Sequence, residues 1–233
     1  MRLDKFISYC GYGTRKQVKD LIKEKRIIVN DTIINKINHN VNEKNDIVYI
    51  DGNKIHYQEY YYFLLYKPKG YLSATKDSKQ KTILDFFSNY HYINLFPVGR
   101  LDKDTTGAII ITNDGILAHQ LISPKYLVDK VYIATLDKEV DPNIKYEFEN
   151  GILLDDELTL PCKFEVLSKN ICKVTLHQGK YHQVKRMFEH FAYKVVDLHR
   201  EKFAFLTLNN LSIGEFRELS SSEIEDLKSL CKK

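Results

Sequence analysis

Val98-Gly99-Arg100-Leu101-Asp102-Lys103-Asp104-Thr105-Thr106-Gly107 sets a basic residue, two carboxylates and two hydroxyls between a pair of glycines. The apolar runs Ile93-Asn94-Leu95-Phe96-Pro97 and Ala108-Ile109-Ile110-Ile111 flank it, so the stretch reads as a loop held between two buried strands. Asp102 is the residue best suited to be its reactive centre. A loop aspartate standing alone is more often a cap or turn residue, so its meaning depends on what the rest of the chain brings to it.

Outward from this loop, Tyr62-Phe63-Leu64-Leu65-Tyr66 is a strand-length apolar run stopped by Lys67-Pro68-Lys69-Gly70. Thr82–Phe87 reads as a short helix capped by Thr82, and 116–122 as a helix after the turn Asn113-Asp114-Gly115. Further strands are expected at Lys130–Leu136, Cys162–Leu167, Ile171–His177, Lys194–Leu198 and Phe203–Leu208. Helices are expected at Asn143–Glu149, Tyr181–Phe191 and Ser222–Leu230, the last from the capping-box spacing Ser222-x-x-Glu225. Strands outnumber helices, and their connections are too short for regular βαβ units. The expected class is therefore α+β around a mainly antiparallel mixed sheet flanked by helices.

The N-terminal end differs in character. Residues 1–30 hold eight basic side chains against three acidic ones, an excess larger than the net +4 of all 233 residues. A basic excess confined to one end predicts a polyanion-binding module attached to a nearly neutral body. A helix over residues 2–10 and a second from the N-cap Thr14 to about Lys25 are followed by short strands at 27–29, 32–34 and 47–50. On the second helix Val18, Leu21 and Ile22 point inward. Arg15, Lys19, Lys23 and Arg26 follow one another at spacings of three or four, giving either a solvated face or a stripe along a phosphate backbone. The domains are expected at 1–55 and 61–233, joined by a linker at 56–60.

Composition excludes several classes. No apolar run approaches the ~20 residues a membrane helix needs, and the first residues lack the pattern of a signal peptide, so a soluble cytoplasmic protein is expected. Cys10, Cys162, Cys172 and Cys231 are far apart and form no Cys-x-x-Cys pair, which predicts reduced thiols and neither zinc nor disulfides.

Two further stretches give Asp102 a context. Lys130-Val131-Tyr132 starts a strand with a cation and a phenol. Gln178-Gly179-Lys180-Tyr181-His182-Gln183-Val184-Lys185-Arg186-Met187-Phe188 is a glycine turn entering a helix, with Val184, Met187, Phe188 and Phe191 on the inward stripe. His182, Lys185, Arg186 and Glu189 share another face, either solvated and paired through Glu189 or turned toward nucleic acid or Asp102.

These three motifs resemble those of the bacterial rRNA pseudouridine synthases of the RsuA/RluB/E/F group. The opening Met1-Arg2-Leu3-Asp4-Lys5-Phe6-Ile7, with Thr14-Arg15 and Arg26-Ile27-Ile28-Val29-Asn30, resembles the small S-four-type RNA-binding module that the group carries. The Tyr181–Met187 wording, followed by Val195-Val196-Asp197-Leu198-His199-Arg200-Glu201, is most similar to the RsuA type, which modifies one uridine of 16S rRNA. The large-subunit members usually differ at the Tyr-His-Gln segment.

The resemblance implies Asp102 as the catalytic aspartate, Tyr132 as the ring stacked on the target base and Lys185 as the basic partner of Asp102. It implies RNA contacts from Arg2, Lys5, Arg15, Lys16, Lys19, Lys23 and Arg26 in the first domain and from Arg100, Lys180, His182, Gln183 and Arg186 in the second. The implied reaction needs no cofactor and no metal. The implied partner is ribosomal RNA, within a small-subunit assembly intermediate, met by a monomer. The chemistry suits the residues: a carboxylate can serve as nucleophile or base, an adjacent cation keeps it ionised, and an aromatic ring receives an extruded base.

The chain departs from the group at Gln178, where an acid is frequent. It departs again at Lys180, where arginine is frequent and lysine loses the bidentate fork, and at Phe203-Ala204-Phe205, which replaces a glycine-richer stretch. Three other readings compete: a binding protein that has lost the chemistry, a metal-dependent nuclease using Asp102 and Asp104, and a synthase acting on 23S rRNA. For Asp104 the expected role is a structural acid organising the turn with Thr105 or Thr106, and Arg100 could pair with it.

Overall fold

The computed structural model describes residues 1–232. The chain divides into two compact units, Met1–Tyr60 with Ser88–Asn94, and Tyr61–Phe87 with the chain from Leu95 onward.

The first unit contains α1 (Leu3–Tyr9), α2 (Arg15–Lys23), β1 (Ile27–Val29), β2 (Thr32–Ile33), β3 (Val48–Ile50) and β4 (Asn53–Ile55), the strands forming an antiparallel sheet in the order β2-β1-β3-β4. Thr14 starts α2 through a reciprocal cap: its hydroxyl accepts from the Gln17 amide, and its own amide donates to Gln17 Oε1 at 2.8 Å. The helix stops before Lys25, whose φ of +59° turns the chain out of helical geometry. Leu3, Phe6, Ile7, Val18, Ile22, Ile27 and Val29 interlock beneath the sheet, each worth roughly 1.5–3 kcal/mol when fully buried. Asp51 and Gly52 both have positive φ and make the tight turn into β4, a strand too short and polar to show a period in sequence. Tyr57, in the expected linker, stacks on Phe6 with ring centroids 5.3 Å apart. Ser88–Asn94 joins this unit because Gly11 lets the Tyr92 ring lie on the backbone; a Cβ there would come within 2.7 Å of the ring.

The second unit contains β5 (Tyr62–Lys67), β6 (Phe96–Pro97), β7 (Thr106–Thr112), α3 (Gly115–Ile122), β8 (Lys130–Leu136), α4 (Lys145–Asn150), β9 (Leu153–Leu154) and β10 (Glu157–Leu158). It continues with β11 (Lys163–Ser168), β12 (Ile171–Leu176), α5 (Gln183–Glu189), β13 (Val195–Phe203), β14 (Leu206–Thr207), β15 (Phe216–Glu218) and α6 (Ser221–Leu230). One sheet runs β11-β12-β8-β13-β7-β5-β15, with β14 on β13 and β6 on β7. Among the described residues β13–β7 is the one parallel strand pair, so the unit is α+β with a mainly antiparallel mixed sheet. One core packs α4 and α5 on β8, β12 and β13; another packs α3 and α6 around β5 and β7. Among the described residues no helix is long and apolar enough to cross a membrane.

The structure corrects three elements. The strands expected at 194–198 and 203–208 have other bounds: β13 runs on to Phe203, the chain turns at Ala204, φ +53°, and the second strand is only β14, Leu206–Thr207. The charged run His199-Arg200-Glu201-Lys202 concealed this continuity. The helix expected at Thr82–Phe87 is a 3-10 segment over Ile83–Tyr90. The cap of α6 is Ser220 with Glu223, not Ser222 with Glu225.

Candidate active site

Asp102 lies in the turn that leads into β7, and the turn is pegged from two sides. Lys67, the last residue of β5, is wholly buried and donates from Nζ to the carbonyls of Thr105 at 2.8 Å, Asp102 at 3.0 Å and Pro68 at 3.0 Å. Burial drives its pKa down to about 8. On the other side Ser73 Oγ donates to Leu101 O at 2.7 Å and accepts from Leu101 N at 3.0 Å. With its backbone held, Asp102 keeps its partly exposed carboxylate free for other contacts.

α5 supplies those contacts. Val184, Met187 and Phe188 are buried and seat the helix on the sheet, which turns Lys185 toward the Asp102 loop. Lys185 Nζ lies 3.2 Å from Asp102 Oδ2 and 2.7 Å from Asp104 Oδ1, and His182 Nε2 lies 3.4 Å from Asp102 Oδ1. Burial works against the Lys185 ammonium, but its hydrogen bonds and charge pairing with the two carboxylates outweigh it and raise its pKa. Burial likewise works against the Asp104 carboxylate, and Lys185 reverses it, holding Asp104 below the usual range. The ammonium occupies the position between the carboxylates that a nuclease metal would need. Asp104 therefore pairs across to α5, and exposed Arg100 forms no ion pair with it.

Tyr132 stands half-buried on β8, paired in register with Arg200 of β13, which pairs in turn with Gly107 of β7. Sequence reasoning missed Arg200. It is 2% exposed, donates from Nε to Ala108 O at 2.6 Å, approaches Tyr132 Oη at 3.4 Å with Nη1, and lies 5.9 Å from the Tyr132 ring centroid. It thus ties the Tyr132 ring to the strand that leaves the Asp102 loop. Gly107 makes this row possible, since a Cβ there would sit 2.3 Å from the Arg200 carbonyl oxygen. Arg200 falls between the strands expected at Lys194–Leu198 and Phe203–Leu208, where nothing in the sequence marked it as buried. Lys130, two residues before Tyr132, is buried and donates to Leu121 O at the end of α3, where a cation suits the helix dipole.

The remaining expected RNA contacts fall into three groups. Gln183 is buried, and its side-chain oxygen accepts from the Lys180 amide at 2.9 Å, so it builds the turn before α5 and offers nothing to solvent. Lys180 and Arg186 reach the β9–β10 hairpin, at 2.6 Å to Glu157 and 2.5 Å to Asp155. Glu189 makes no ion pair with its neighbours on α5 among the described residues. In the first unit Arg2 pairs with Asp4, Lys23 with Asp20, and Arg26 with Asp51 and Glu24, and Arg26 lies beyond the end of α2. Lys5, Arg15, Lys16 and Lys19 form no ion pair among the described residues.

Known proteins resemble the chain over nearly its whole length. The family described as RNA pseudouridylate synthase matches residues 61–190, and the S4 domain matches residues 1–54. The chain is 38% identical to ribosomal large subunit pseudouridine synthase B of Bacillus subtilis (strain 168), covering 98% of this chain and 96% of that one. It is 37% identical to ribosomal small subunit pseudouridine synthase A of Escherichia coli (strain K12), covering 96% and 98% respectively. A solved pseudouridylate synthase superposes with a TM-score of 0.69 at 37% identity over 97% of this chain and 99% of that one.

Proposed function

Since the chain belongs to the RsuA/RluB family of rRNA pseudouridine synthases, we propose that Asp102 is its catalytic carboxylate, with Lys185 as charge partner and Tyr132 as the platform for the flipped uracil. The observation that carries this reading is the Asp102–Lys185 pair at 3.2 Å, held by a buried lysine on one side and a packed helix on the other. The reaction breaks the bond between ribose and uracil nitrogen, turns the base and rejoins it through carbon 5, where a proton is then lost. Atoms and electrons balance with no external reagent. Asp102 serves as nucleophile toward the ribose or as base at its carbon 2, and either role needs it ionised. Tyr132 offers a flat face to the base once it leaves its stack, and its hydroxyl is available for the proton at carbon 5.

The target we propose is a uridine of 16S rRNA, met by a monomer in the cytoplasm on a small-subunit assembly intermediate. Its support is the Tyr181-His182-Gln183 wording typical of the small-subunit type. The 38% identity to a large-subunit synthase favours 23S rRNA as the second reading. Chemical derivatisation of pseudouridines in rRNA from cells with and without the gene separates them: a site lost from 16S supports the first, a site lost from 23S the second. Asp102→Asn is expected to abolish conversion while RNA binding persists; measurable turnover by this variant would remove Asp102 from the reaction.

A further inference from the structure

Tyr181 is the most exposed large hydrophobic side chain among the described residues, at 76%. Its ring is nonetheless ordered by a partner: it stacks on His182 with centroids 3.9 Å apart and planes within 17°. His182, at a φ of +48°, in turn presents Nε2 to Asp102 at 3.4 Å. One face of Tyr181 is therefore occupied by His182, and the exposed ring leaves its other face open to solvent. Tyr146 is nearly as exposed, at 73%, but stands on α4 with no ring against it and no link to Asp102. Exposure alone is common; exposure continuing a stack that ends at the Asp102 carboxylate is specific to Tyr181.

We propose that Tyr181 is a second aromatic platform, on which an unpaired base flanking the target uridine stacks, so that base, Tyr181 and His182 form one column ending at Asp102. The proposal rests on Asp102 being the catalytic carboxylate. The occupant is a flanking base and not the target, because the target uracil is assigned to the Tyr132 ring on β8. A nucleobase suits the surface, because extruding the uridine leaves its neighbours without a stacking partner. Stacking on an aromatic is tolerant of base identity, so the platform adds affinity without reading sequence.

The test uses the full chain and rRNA transcripts spanning the mapped uridine, with 2-aminopurine placed in turn at each flanking position. Wild-type protein is expected to quench one flanking position. Tyr181→Ala and Tyr181→Leu are expected to lose that quench and weaken binding by about 5- to 100-fold, with unchanged thermal melting because the side chain is exposed. Tyr181→Phe and Tyr181→Trp are expected to restore both. Unchanged affinity and quench in Tyr181→Ala overturns the platform, and so does a loss confined to kcat, which would mean that Tyr181 acts only through His182. If Asp102→Asn remains active, the reading of the site fails instead, independently of the quench.

Discussion

Lys67 carries its charge where no water reaches it, and the carbonyls of Pro68, Asp102 and Thr105 are what make that tolerable. A buried charge costs stability, yet here it fixes the backbone from which the Asp102 side chain projects. Lys67→Met is expected to leave rRNA affinity nearly unchanged and lower kcat on the order of 100-fold, the scale of a small misplacement of a reacting group. It should also change the pH dependence of stability. With a folded pKa of about 8 against 10.5 unfolded, Lys67 binds fewer protons in the folded state between those values. Its contribution to stability therefore rises with pH across that window, and denaturant titrations should show wild type gaining on Lys67→Met from pH 8 to 10. A constant difference would place the lysine's pKa elsewhere. Asp102, Tyr132 and Lys185 stood out in sequence through the resemblance of their three motifs to one family, and the fold brings Lys185 to Asp102. Lys67 and Arg200 did not: a lysine before proline reads as a turn, and an arginine among charged residues reads as surface. Both act through backbone oxygens, which leave no trace in residue type.

α6 shows why an element can be legible and its boundary not. Ser220, Ser221 and Ser222 are consecutive, and both Ser220-x-x-Glu223 and Ser222-x-x-Glu225 have capping-box spacing. The choice is made outside the helix. Arg217 on β15 donates to both carboxylate oxygens of Glu223, at 2.7 and 2.8 Å, and Glu223 accepts from the Ser220 amide at 2.8 Å. The arginine hydrogen bonds carry the Glu223 pKa down to about 2. Leu219 and Ile224 then join the same core on either side of the cap, the arrangement of a hydrophobic staple. Ser220→Ala is expected to destabilise the protein by about 1 kcal/mol in chemical denaturation, and Ser222→Ala by much less. Equal losses would mean that the cap is shared. Strands β8 and β12 were readable because β-branched and apolar residues recur over a full strand length, whereas β9–β10, with exposed Leu153 and Leu158 and acidic turn residues, had no period to find.

At the scale of the molecule, the excess of positive charge in the first thirty residues predicted a polyanion-binding unit, and residues 1–54 match the S4 domain. Charge counted from sequence overstates what is available to phosphates. Arg26 is gripped by Asp51 at 2.6 and 2.8 Å and by Glu24 at 3.1 Å, and Lys23 lies 3.7 Å from Asp20. These carboxylates come from other elements or from the preceding turn, and their partners could not be assigned without the fold. Arg15, Lys16 and Lys19, on the first two turns of α2, have no such partners among the described residues. Each phosphate neutralised by a protein cation releases counterions from the RNA and steepens the fall of affinity with salt. In the full chain, Arg15→Gln, Lys16→Gln and Lys19→Gln combined are expected to weaken rRNA binding and to flatten the slope of log K against log salt by about 0.7–0.9 for each phosphate no longer neutralised. Arg26→Gln, already neutralised within its own unit, is expected to change that slope little. Binding isotherms at three salt concentrations decide it: an unchanged slope for the triple variant would move the phosphate track off α2, and a large change for Arg26→Gln would mean that RNA displaces Asp51.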